Sequence, residues 1–173
     1  MHERSLPAPQ RRIFGVVGAV ALGLVAAASV ASGQDQSAAT PKDAIFARKV
    51  LMNQVGMNMD ELETMTGSAK PIDMADAREH ADNISVLLLL FPHVFPPGTN
   101  QWKAGAVGRD PAIDTYASPD VWTNFADFYK RSADASNAAF KASRAGTESE
   151  LRGEVAQLRQ ACDTCHAKYQ KTE

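Results

Sequence analysis

Both cysteines of this 173-residue chain fall in one pentapeptide, Cys162-Asp163-Thr164-Cys165-His166, seven residues from its end. That is the spacing used for covalent attachment of haem. Two thiols one helical turn apart can add to the two vinyl groups on one edge of a porphyrin, while the adjacent imidazole turns inward to the iron. Three other chemistries use a similar pair: a structural disulfide, a thioredoxin-like redox couple, and half of a zinc site. Zinc needs further Cys or His at ligand spacing, and downstream of the N-terminus only His80 and His93 remain. A redox pair normally opens a helix inside a βαβ unit, whereas this one closes a helix with no strand pattern nearby. One covalently bound haem c is therefore the expected cofactor, with thioethers at Cys162 and Cys165 and His166 on the metal.

Haem attachment of this kind belongs to exported chains, and the other end of the sequence agrees. Arg4, Arg11 and Arg12 precede an apolar run over 13–30, followed by the small residues Ala31 and Gly33. Residues 1–33 read as a secretory signal peptide. The run is long enough for an uncleaved anchor, but its Ala and Gly content makes it weakly hydrophobic for a spanning helix. Residues 34–40 read as a flexible tether and 41–173 as one domain around one core. The expected location is the periplasm of a Gram-negative bacterium, without stable membrane association after cleavage. Loss of residues 1–33 takes three of 18 basic residues and one of 20 acids, leaving a formal charge of −4. Such a balance does not suit nucleic acid or an anionic membrane as partner.

Four helical segments position the pentapeptide. Thr40-Pro41-Lys42-Asp43 supplies a cap, a proline at the first helical position and an acid in the first turn. The first helix then shows an inward face through Ala44, Arg48, Met52, Val55 or Gly56, Met59 and Leu62, and ends near Gly67. Gly56 in a helix interior costs up to about 1 kcal/mol relative to alanine, so it is expected to permit close approach of something. Pro71 is expected to open the second helix, with Asp73 in its first turn and an all-round apolar stretch from Val86 to Phe91. Prolines 92, 96 and 97 start a long connection to Ala117. Ser118-Pro119-Asp120 begins the third helix, with a core face of Val121, Trp122, Phe125, Phe128 and Tyr129 and an alanine-rich second half suited to close helix contact. Thr147-Glu148-Ser149-Glu150 is a capping box for the fourth. Its stripe, Leu151, Val155, Leu158, Cys162, Cys165 and Tyr169, leads the apolar seam into the attachment site. The expectation is an all-α four-helix bundle with one haem between its helices.

Arg48 and Met52 share a face, about 5 to 6 Å apart. A buried arginine needs an anion, and a haem propionate would supply it; the alternative is a surface arginine snorkelling past the seam. Three roles are open to Met52. On the iron it gives a six-coordinate His/Met haem suited to electron transfer. As a lid it leaves a five-coordinate iron open to nitric oxide or carbon monoxide, and in plain core packing it touches neither. Ligation is the expectation, with a periplasmic redox partner; a small gas is the alternative ligand. His93 is expected to be exposed rather than axial, His80 solvated, and Asp60, Glu61 and Glu63 a solvated helix end. No paired carboxylates, no serine-histidine-acid set and no distal histidine with an arginine partner are evident, so no enzyme is expected.

Cys162 to Tyr169 at the C-terminus, the stretch Ala44 to Met52 with Gly56 and Met59 behind it, and Ser118 to Trp122 together resemble the class II c-type cytochromes, the cytochrome c prime family with its low-spin relatives. The resemblance spans residue 41 to the end. It implies an up-down-up-down bundle, a fold of which cytochrome c prime is itself a standard example. It also implies thioethers at Cys162 and Cys165, His166 as proximal ligand, Arg48 near a propionate, and Met52 on the distal side. A homodimer through the first two helices is a further implication. The family usually carries Arg or Lys after the final aromatic, where this chain has Gln170.

Overall fold

The first helix begins where Thr40 and Asp43 cap each other. The Thr40 hydroxyl takes the Asp43 amide at 3.2 Å and the Asp43 carboxylate takes the Thr40 amide at 3.0 Å. Such caps are worth about 1 kcal/mol, and Pro41 behind the cap is already set for helical φ. The computed structural model describes residues 40–171 except 101, 106–109 and 111–113. The expected signal peptide and residues 34–39 of the tether lie outside the described residues.

Five helices follow: α1 Pro41–Gly67, α2 Met74–Leu90, α3 Asp120–Thr123, α4 Phe125–Ser143 and α5 Glu148–Tyr169, with a 3₁₀ turn at Phe91–Val94. Among the described residues there is no strand, only an isolated bridge between Ala117 and Gln170. α1, α2, α4 and α5 form the up-down-up-down four-helix bundle, and α3 is a single turn leading into α4.

Two boundaries differ from expectation. Pro71 does not open α2; Asp73 does, because its carboxylate accepts the amides of Ala75 at 3.0 Å and Asp76 at 3.2 Å. The Ile72 amide is meanwhile drawn to Glu148 Oε1 at 3.1 Å, which keeps that stretch out of the helix. The third helix is broken at Asn124, which leaves helical geometry at φ −123° and ψ 40°. Asparagine competes readily with helical backbone geometry. α3 and α4 therefore face the core in different phases: Val121 and Phe128 are buried, while Phe125 and Tyr129, expected in the core, are exposed.

The bundle closes most tightly between α2 and α4. Ser132 donates to the Leu88 carbonyl at 2.6 Å and Ser136 to the Ser85 carbonyl at 2.8 Å. Ala77, Ala81, Ala135, Ala139 and Ala142 fill the space around them. Side chains this small let two backbones approach. α1 and α5 touch each other only sparingly.

The connection from 95 to 117 is tied down at both ends. Arg48 Nη2 donates to the Thr99 carbonyl at 3.1 Å and to Thr115 Oγ1 at 3.0 Å. The Ser118 amide donates to the Tyr169 carbonyl at 2.8 Å, and the Lys171 amide to the Tyr116 carbonyl at 2.7 Å. The return of the connection is thus fastened to the end of α5, beside the pentapeptide.

Candidate functional site

Where α1 and α5 part, a cavity of about 290 Å³ opens. That is near the lower end of the range for small-molecule sites. Cys162, Cys165, His166 and Tyr169 line one side from α5; Arg48, Met52, Val55, Gly56 and Met59 face them from α1. α4 contributes Phe128, Ser132 and Ala135, and Leu88, Phe91 and Phe95 close one end. All five sequence-predicted site residues are therefore brought to one cavity, contributed by helices at opposite ends of the chain.

Both cysteines are half-buried free thiols. Burial pushes the Cys165 thiol up to about 11 and raises Cys162 as well. A redox-active cysteine has its pKa lowered by its surroundings instead, so this environment disfavours a thioredoxin-like couple. Among the described residues no group of three or more His, Cys, Asp or Glu could hold a metal ion. Burial likewise holds the His166 imidazole below its ordinary value, favouring the neutral ring that a metal requires.

Arg48 is 4% exposed and pairs with no carboxylate among the described residues. Its guanidinium lies over the rings of Phe95 and Trp122, at 5.0 and 5.6 Å from their centres. Its polar partners are neutral oxygens of Thr99 and Thr115, and its Nε has none. Burial pulls its pKa down to about 10, so the cation is under strain from desolvation. A buried charge without a counter-charge is costly, and an anion at this end of the cavity would relieve it. Opposite the cysteines, a Cβ built on Gly56 meets nothing within 4 Å, so no protein neighbour requires a glycine there. Apolar walls, paired thiols, a neutral imidazole, a cation lacking its anion and a side-chain-free stretch of α1 together fit a porphyrin with propionates.

The other histidines among the described residues, His80 and His93, do not line the cavity. His93 is exposed as expected, with its ring 6.0 Å from that of Tyr129. His80 is not simply solvated: it is half-buried, its Nδ1 is 2.9 Å from Asn58 Oδ1 and its Nε2 is 3.5 Å from Asp76. Nor is Glu63 part of a free helix end, because Arg159 grips it through two bonds of 2.6 Å. Those residues are 96 apart in sequence and no local signal joins them. The apolar stretch from Val86 divides by face: Leu88 and Phe91 reach the cavity, while Val86, Leu89 and Leu90 point outward. Thr99 and Thr115 were missed because nothing in a loop sequence marks which hydroxyl will meet a distant arginine. Asp127 and Arg131, joined at 2.8 Å, could have been found as an i,i+4 pair.

The family profile of cytochrome c prime matches residues 43–170. The chain belongs to the cytochrome c prime family. Members are cytochromes, and the cofactor is haem c, covalently bound. Cytochrome c-554 of Cereibacter sphaeroides is 31% identical over 132 residues, covering 75% of this chain and 81% of its own. Cytochrome c prime of Pararhodospirillum photometricum is 29% identical over 137 residues, covering 77% of this chain and all of its own. Among solved structures, the nitric oxide complex of a cytochrome c prime variant from Alcaligenes xylosoxidans superposes with a TM-score of 0.65 at 21% identity. It covers 78% of this chain and 98% of that one.

Proposed function

We propose that this cytochrome c prime family member is a periplasmic electron carrier. In this reading Cys162 and Cys165 form the thioethers, His166 is the proximal ligand, Met52 is the sixth ligand and Arg48 pairs with a propionate. The observation that carries it is that Met52 and His166 line the same cavity from facing helices, with neither His80 nor His93 near it. Met52 also packs against the main core cluster, which limits the movement of its thioether. The haem, once bound, supplies an iron that cycles between two oxidation states, and His/Met ligation raises its potential. The chain's own contribution is to hold both ligands on helices, keep the His166 ring neutral and surround them with apolar groups. The signal-like residues 1–33 support export to the periplasm. The outward Val86, Leu89 and Leu90 support a homodimer.

The gas-binding alternative has its own support. The same cavity wall with Met52 as a lid would leave the metal open, and the Alcaligenes xylosoxidans neighbour is a nitric oxide complex. An absorption spectrum of the reduced protein, with and without carbon monoxide, separates the two. A carrier shows a low-spin spectrum that carbon monoxide barely alters. A high-spin spectrum that shifts fully on adding the gas would replace electron transfer with gas binding.

A further inference from the structure

One oxygen of Asp127 accepts three hydrogen bonds, from Arg131 Nε at 2.8 Å, Lys168 Nζ at 2.8 Å and the Tyr169 hydroxyl at 2.6 Å. Asp127 stands in the first turn of α4. Lys168 and Tyr169 stand in the last turn of α5, two and three residues beyond His166. Arg131 and Tyr169 both line the cavity, so a carboxylate set behind the wall holds two groups that form it.

The His166 ring itself has no hydrogen-bond partner among the described residues. Metal-bound histidines are ordinarily oriented by a bond to the other ring nitrogen. Here the orientation has to come from the helix that carries the ring. Helix ends fray, yet this one is fastened on several sides. The Gln170 amide donates to the His166 carbonyl at 3.0 Å and the Ser118 amide to the Tyr169 carbonyl at 2.8 Å. The Tyr169 ring lies edge-on to Phe128 at 5.2 Å. Of the described groups that fasten this turn, only Asp127 takes side chains of both Lys168 and Tyr169 across to α4.

We propose that Asp127 is a positioning residue for the proximal side. By clamping Lys168 and Tyr169 to α4 it fixes the last turn of α5 and with it the bearing of the His166 ring, while its charge offsets the Arg131 cation on the cavity wall. The inference rests on the reading of His166 as the iron ligand.

The test uses the haem-loaded protein and two readouts, the ferric electron paramagnetic resonance g-values and the midpoint potential. Asp127→Asn is expected to shift the g-values and to move the potential positive, because Arg131 loses its counter-charge and the oxidised iron is disfavoured. Asp127→Glu should return both towards the parent. Tyr169→Phe, which keeps the ring and the Asp127 charge, should shift the g-values less and leave the potential nearly fixed; it carries the test if Asp127→Asn fails to fold. Unchanged g-values in Asp127→Asn and Tyr169→Phe would overturn the proposal, even if the potential moved through charge alone. A His166→Ala protein that kept the parent spectrum would instead sink the ligand reading, and the inference with it.

Discussion

Between α2 and α4 the meeting residues are Ala77, Ala81, Ser85, Ser132, Ser136 and Ala139; between α1 and α5 they are Met52, Met59, Cys162 and His166. The first set lets the backbones approach closely, with only Ser132 among these residues also reaching the cavity. The second holds them apart around 290 Å³ of space. One helix pair is therefore a scaffold complete in itself, and the other is a site completed by its cofactor.

The sharpest way to break that contrast is to keep the cofactor out. With Cys162→Ser and Cys165→Ser together, mass spectrometry of protein made in a host proficient for c-type maturation should show no haem added, and the unfilled bundle should unfold at much lower denaturant. A double variant that still carried haem covalently would show that attachment lies elsewhere.

On the scaffold side, Ala139→Leu forces a large side chain between α2 and α4. Overpacking of this kind costs about 1 to 3 kcal/mol, so the denaturation midpoint should fall while the haem spectrum stays as in the parent. A spectrum that changed as much as the stability would mean that scaffold and site are not separate.

The smallest effect concerns Glu63, which Arg159 ties across the α1–α5 gap. The bond to Arg159 holds the Glu63 carboxyl below its ordinary range. Its contribution is thus fully present above the usual carboxylate pKa and is lost as pH falls through the lowered value of the folded state. Both side chains are partly exposed, which limits the pair to about 1 kcal/mol or less. Glu63→Gln should be slightly less stable than the parent near neutral pH, and the two urea curves should converge in acid. A difference independent of pH would point to packing rather than charge.

The parts of this molecule that were legible in its sequence are the ones built locally. The cap at Thr40 and the capping box at Thr147 act over three residues, and the α5 stripe into Cys162 and Cys165 follows from helical periodicity alone. Arg48 and Met52 share a face for the same reason. One hidden part is local: Asn124 leaves helical geometry, and Phe125 and Tyr129, which continue an unbroken core face on paper, are exposed. The others depend on partners far along the chain. Glu148 holds the Ile72 amide away from α2, Arg159 recruits Glu63, and Thr99 and Thr115 meet Arg48 only because the connection folds back over α1. Each of these pairs is long-range, and no single segment contains the information for it.

The central claim, that α1 and α5 face each other across one haem with Met52 opposite His166, is tested most directly by the spectrum of Met52→Ala. The account predicts conversion from low-spin to high-spin, a lower midpoint potential and an iron newly open to carbon monoxide. An absorption spectrum, potential and gas response all unchanged by the substitution would contradict it, since α1 would then not be the wall that faces the metal.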